Sequence, residues 1–107
     1  MISELEKLLG TPRDGALLRY SLGLEHEKAG NLDRAAEHLQ EAVRREPLYS
    51  AAWKALGRVF TQLERTSEAL QAYRNGIEAA GKKGDRQAEK EMRVFARRLE
   101  KKLAGPP

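Results

Sequence analysis

An all-α chain of stacked helical hairpins follows from three observations. Shifted by 34 residues, the sequence falls onto itself: Leu22-Gly23 lands on Leu56-Gly57, Ala35 on Ala69, Leu39 on Tyr73 and Val43 on Ile77. A period of this size marks helix–turn–helix units that stack, each burying its neighbour with one face and offering the other to partners. Within each half-period the apolar residues recur at helical spacing, and Gly, Pro or Asn punctuate the gaps. A chain of 107 residues makes one small domain, 1–107.

The elements follow in order. Residues 3–9 form a short amphipathic helix within an N-terminal segment 1–10, with Ser3 as its N-cap and residues 2, 5, 8 and 9 as its apolar face. Gly10-Thr11-Pro12-Arg13-Asp14-Gly15 breaks it. The first repeat, 16–49, pairs a helix over 16–29, stopped at Gly30-Asn31, with one over 33–46 that Pro47 ends by lacking an N–H. The second repeat, 50–83, pairs helices over 50–62 and 67–80, with Thr66 or Ser67 capping the latter and Gly81 following it. Asp85 opens a capping helix (segment 84–104) that reaches about Leu103, and 105–107 form a frayed tail. Ala88, Met92, Phe95, Leu99 and Leu103 give that helix one apolar stripe, which covers the second repeat and leaves a wet Lys/Arg face. Gly23, Gly57, Ala35 and Ala69 are small because helices cross closely there, which offsets the ~1 kcal/mol that glycine costs inside a helix.

Two stretches carry a named pattern. Residues 53–73 read Trp53-x-x-Leu56-Gly57-x-x-Phe60, then Ala69-x-x-x-Tyr73; residues 19–47 read Arg19-x-x-Leu22-Gly23-x-x-His26, then Ala35-x-x-x-Leu39 and Pro47. Both resemble the tetratricopeptide repeat, with its W-x2-L-G-x2-Y, A-x3-F and P positions. Gly81 replaces the proline in the second copy, and Arg19 and His26 replace aromatic residues in the first. The resemblance implies a fragment of a right-handed α-solenoid whose inner helices line a concave groove for a peptide or partner helix.

Composition narrows the function. The absence of cysteine removes disulfides, thiolate nucleophiles and zinc–thiolate sites. No apolar run is long enough to span a bilayer, and the N-terminus lacks a signal segment, so the chain reads as cytoplasmic. There is no phosphate-binding glycine loop and no nucleophile elbow, so we expect no enzymatic activity and no cofactor. His26 and His38 lie on the two helices of one hairpin at unequal heights, with no third ligand, so no metal site is expected.

Charge is uneven. Of the net +4, residues 82–102 hold nine Lys or Arg against four acids, leaving the repeats near neutral. This basic helix admits an alternative reading as a weak nucleic-acid-binding accessory, against which stand its four acids and the lack of interleaved aromatics. A second alternative is homo-assembly, as a weak dimer rather than a monomer.

The first repeat helix has two apolar stripes, Leu18–Leu22–Ala29 for its partner helix and Leu17–Tyr20–Leu24 on a neighbouring face. The second is either covered by residues 1–9 or held for a partner. The family resemblance places Tyr20 and Leu24 in the groove, joined by Lys54, Arg58 and Gln62 of the second repeat and by Tyr49 at the junction. The carboxylate clamp that some family members use for chaperone C-termini is not matched, since Tyr20, Leu24 and Ala55 stand at its places. The expected partner is therefore a protein or peptide with apolar anchors and an acidic flank.

Overall fold

The computed structural model describes residues 1–105; Pro106 and Pro107, the rest of the expected tail, lie outside the described residues. Six helices form: α1 (Ile2–Glu6), α2 (Ala16–Lys28), α3 (Leu32–Arg45), α4 (Ser50–Gln62), α5 (Thr66–Lys83) and α6 (Arg86–Ala104). Each packs on the next from α2 onward, while α4 also touches α2 and α6 across the stack. The result is two layers, α2–α4–α6 and α3–α5, in a slab of 50 × 30 × 18 Å.

The repeat's small residues sit where helices approach closely. A Cβ on Gly23 would lie 2.5 Å from Leu39 Cγ, and one on Gly57 would lie 2.6 Å from the Tyr73 ring. Gly76 meets the Met92 sulfur and the Trp53 Cβ in the same way, so it admits α6 onto α5. Leu22, Leu39, Val59 and Met92 are fully buried along this seam. Of the α6 stripe, Met92, Ala96 and Leu99 are buried, Ala88 and Phe95 half-buried, and Leu103 exposed.

Several boundaries differ from the sequence expectation, each for a physical reason. α1 starts at Ile2 and stops at Glu6, so Ser3 lies inside the helix and no side chain caps it. Residues 7–10 instead form hydrogen-bonded turns that keep Leu8 and Leu9 half-buried. Ala29 is exposed at the end of α2, and His26 takes its place on the buried stripe. α5 begins at Thr66 with Arg65 at the cap position, so neither Thr66 nor Ser67 caps it. It also passes through Gly81 to Lys83, one turn beyond the point where Pro47 halts α3, and ends at left-handed Gly84 (φ 73°). Asp85 then caps α6, its carboxylate accepting the Ala88 N–H at 3.1 Å.

The turns inside the two repeats share a shape but not a residue. Gly30 (φ 82°) occupies the left-handed position in the first, and Glu64 (φ 59°), 34 residues on, occupies it in the second. A side chain there costs about 1–2 kcal/mol against glycine, partly offset by glycine's larger unfolded-state entropy. Glu64→Gly is therefore expected to raise stability by ~0.5–1 kcal/mol in urea denaturation.

Asp14 ties the linker 10–15 to the first repeat. Its carboxylate accepts the Gly10 N–H and two bonds from Arg19 at 2.9 and 3.0 Å, with Arg45 at 3.7 Å. The Arg19 guanidinium holds the Asp14 carboxyl well below the usual carboxylate range. α1 nonetheless leaves Leu17, the first residue of the second stripe of α2, 69% exposed.

Candidate functional site

A cavity of about 530 Å³ opens on the α2–α4–α6 side of the slab. Tyr73 of α5 and Phe95 of α6 supply its aromatic surface, the rings 5.4 Å apart and inclined at 41°. Tyr73 reaches it because Gly57 has no side chain to hold the ring back. Burial pushes the Tyr73 phenol up, opposed by Thr61 and Arg58. Lys54, Arg58, Thr61 and Gln62 of α4 and Glu27 of α2 form the polar remainder.

The polar groups are already paired across the layer. Arg58 donates to both Glu27 oxygens at 2.7 Å, and Gln62 adds a third bond to Glu27 at 2.6 Å. Arg58 is the main reason the Glu27 carboxyl lies below its ordinary value, and the pair raises Arg58 in return. Lys54 donates to Glu91 of α6 at 2.8 Å and lowers the Glu91 carboxyl. The two pairs differ in access: the Glu27 side chain is 15% exposed and Glu91 37%. Arg58 is itself the more exposed cation, 45% against 31% for Lys54, whereas Lys54 has the more exposed counter-ion.

Of the six residues expected in the groove, Lys54, Arg58 and Gln62 line this cavity and Tyr20, Leu24 and Tyr49 do not. Tyr20 and Tyr49 instead pack on each other, ring centroids 5.0 Å apart, and with Leu24 rest half-buried against the core. Tyr20 is near enough to Arg58 to add to its raised basicity. Sequence reasoning assigned Phe95 to packing, named Tyr73 only as a position of the repeat motif, and passed over Glu27 and Thr61. A shift of 34 residues carries Lys54 and Arg58 to Ala88 and Met92, whereas α6 actually brings Glu91 and Phe95 to the groove. That three-residue offset accompanies the longer α5, so only the phase of the α6 stripe carried a signal.

Three further features surround the site. An apolar cleft of about 370 Å³ lies between α3 and α5 on the opposite layer, with Trp53, Leu56 and Phe60 at its base. On the basic helix α6, Arg93 pairs with Glu89, and Glu100 pairs with Arg74 of α5. The His26 and His38 rings lie 5.4 Å apart and nearly parallel, at 15°. The expectation of unequal heights was therefore mistaken, because counting from the turn ignored the offset with which antiparallel helices pass each other. Among the described residues, no cluster of three or more His, Asp or Glu could hold a metal ion. No helix of the described residues is long and apolar enough to cross a membrane.

Comparison with known proteins agrees with this architecture. The chain is 48% identical over 101 residues to a TPR repeat-containing protein of Pseudomonas aeruginosa, covering 94% of this chain and 96% of that one. A solution structure of a Bordetella parapertussis protein is 38% identical, with a TM-score of 0.78 over 94% of this chain and 87% of that one. A crystal structure of a tetratricopeptide repeat domain protein from Salinibacter ruber is 31% identical, with a TM-score of 0.75 over 81% and 97%. The sequence model of the tetratricopeptide repeat matches residues 20–83, from within α2 to the end of α5. With its repeat glycines buried at helix crossings, as that motif requires, this all-α chain belongs to the tetratricopeptide repeat family.

Proposed function

We propose that the protein is a non-enzymatic interaction module of the cytoplasm that holds a peptide or helix of a partner protein in the α2–α4–α6 groove. The observation that carries this reading is the cavity formed by Tyr73 and Phe95 beside Lys54, where an aromatic surface adjoins a cation with a half-exposed counter-ion. An apolar anchor gains by displacing water from the half-buried Phe95 ring, and aromatic side chains are the common hot spots of such contacts. An Asp or Glu next to the anchor exchanges with Glu91 for Lys54, which sets orientation and on-rate more than affinity. Tyr20 and Tyr49, with Leu24 beside them and Leu17 exposed, extend the apolar track toward the first repeat. So small a groove suits binding in the micromolar range, on the order of −8 kcal/mol.

Partners captured from the native host supply the ligand for the test. Lys54→Glu/Arg58→Glu is expected to weaken binding at least ~10-fold, about 1.4 kcal/mol. Arg97→Glu/Lys101→Glu, both exposed on the face of α6 away from Phe95, is expected to leave it unchanged. Both variants are checked for helicity by circular dichroism. Unchanged affinity in the groove variant, with loss in the α6 variant, would sink the groove and favour the basic face.

A further inference from the structure

The two repeats can be compared position by position, and one trio around a buried ring differs in kind. In the second repeat Phe60 lies beside the small Ala72, and Arg65 sits over the Phe60 ring at 4.8 Å. The 34-residue equivalents in the first repeat are His26, His38 and Asn31. His26 is 1% exposed and stacked on His38, and the Asn31 side-chain amide lies 3.3 Å from His26 Nδ1. With that amide as placed, Nδ1 accepts and the His26 proton sits on Nε2, which has no hydrogen-bond partner; His38 Nδ1 is buried without a partner too. Asn31 is spent on this contact, although it stands at the cap position of α3, a place its side chain would otherwise serve.

We propose that the His26–His38 stack makes the first repeat a proton-sensitive unit of the fold, loosened when the His38 imidazole takes up a proton against the buried His26 ring. A proton on His38 would place a cation against the fully buried His26 ring 5.4 Å away, beside a His38 Nδ1 that has no hydrogen-bond partner. The charged groups facing the pair do not cancel this. Burial first, then His26 and Arg19 of α2, depress the His38 imidazole; Glu37 of α3 and Glu6 of α1 act against them without reversing the direction. A histidine depressed in the folded state binds its proton more readily in the unfolded chain, so stability falls as pH drops below the ordinary value of about 6.5. The depressed carboxylates Glu27, Glu41 and Glu91 lose their contribution only below about 4.5, which leaves the histidine window separate. Because Glu27 follows His26 on α2 and holds Arg58 and Gln62, loosening this hairpin also removes one side of the groove. That last consequence rests on the groove reading; the switch does not.

The second repeat supplies the control. His26→Phe/His38→Ala writes Phe60 and Ala72 into the first repeat, and thermal unfolding of the full chain is followed from pH 7 to pH 5. The wild-type midpoint is expected to fall by on the order of 10 °C across that range, and the variant midpoint to stay within a few degrees. Should the variant fold poorly, nitrogen-15 imidazole spectra of the wild type decide: the folded His38 signal should take up its proton at lower pH than an unfolded imidazole does. A flat wild-type profile, an equal slope in a folded variant, or a His38 imidazole that titrates near 6.5 within an intact fold would each overturn the proposal.

Discussion

Deleting residues 85–107 is expected to abolish the fold. α6 covers the face of α5 that Gly76 leaves open, and Met92 (0% exposed), Ala96 (6%) and Leu99 (7%) lie along that contact. Burying a Met or Leu side chain is worth roughly 1.5–3 kcal/mol, and a small domain has only ~5–15 kcal/mol in total. Loss of Met92 and Leu99, with Phe95 and the Lys54–Glu91 pair, takes most of that stability away. It also uncovers the face of α5 around Gly76, on which chains associate. The truncated protein should show far less helicity by circular dichroism and sediment as aggregate. A folded, monomeric truncation of equal stability would make α6 an appendage rather than part of the core. Met92→Ala tests the same contact by one side chain and is expected to cost ~2–5 kcal/mol.

Two glycine-to-alanine changes are expected to act with opposite signs. Helix propensity favours alanine by about 1 kcal/mol at either position, since both glycines lie inside helices. At Gly57 the new Cβ would stand 2.6 Å from Cε1 and Cζ of Tyr73, a ring 4% exposed and backed by Phe95. That ring moves only by disturbing its neighbours, and overpacking of this kind costs roughly 1–3 kcal/mol. At Gly81 the nearest atom is Glu89 Oε2 at 4.0 Å, so nothing opposes the propensity gain. In urea denaturation Gly57→Ala should lower stability by up to ~2 kcal/mol net, and Gly81→Ala should raise it by ~0.5–1 kcal/mol. A stabilised Gly57→Ala would mean that α4 and α5 do not approach as closely as described. The Tyr73 ring would then be free to leave the groove surface.

How much of this was legible in the sequence depended on whether local chemistry or helix phase decided the matter. Helix order and pairing were legible, because the repeat glycines, Pro47 and the apolar spacing all act within a turn or two of themselves. Lys54, Arg58 and Gln62 were legible as one face of one helix, since i and i+4 positions share a side. Their partners were not: Glu27 and Glu91 come from other helices, and the phase of α6 depends on where α5 stops. The Tyr20–Tyr49 contact was half legible, because both were placed toward one groove but nothing local showed that they would consume each other's surface. His26 and His38 were misjudged for the same reason, an interhelical offset that a count along one chain does not contain.

The overrun of α5 past Gly81 also decides where such an array can be lengthened. A copy of residues 16–49 inserted between Tyr49 and Ser50 ends at Pro47 and presents α4 with the seat it already has. A copy of residues 50–83 appended after Lys83 inherits a helix one turn too long, and the next hairpin meets it three residues out of phase. Growth by repetition is therefore permitted at the internal junction and blocked at the carboxyl-terminal one. A designer seeking a longer groove should duplicate the hairpin that carries the proline.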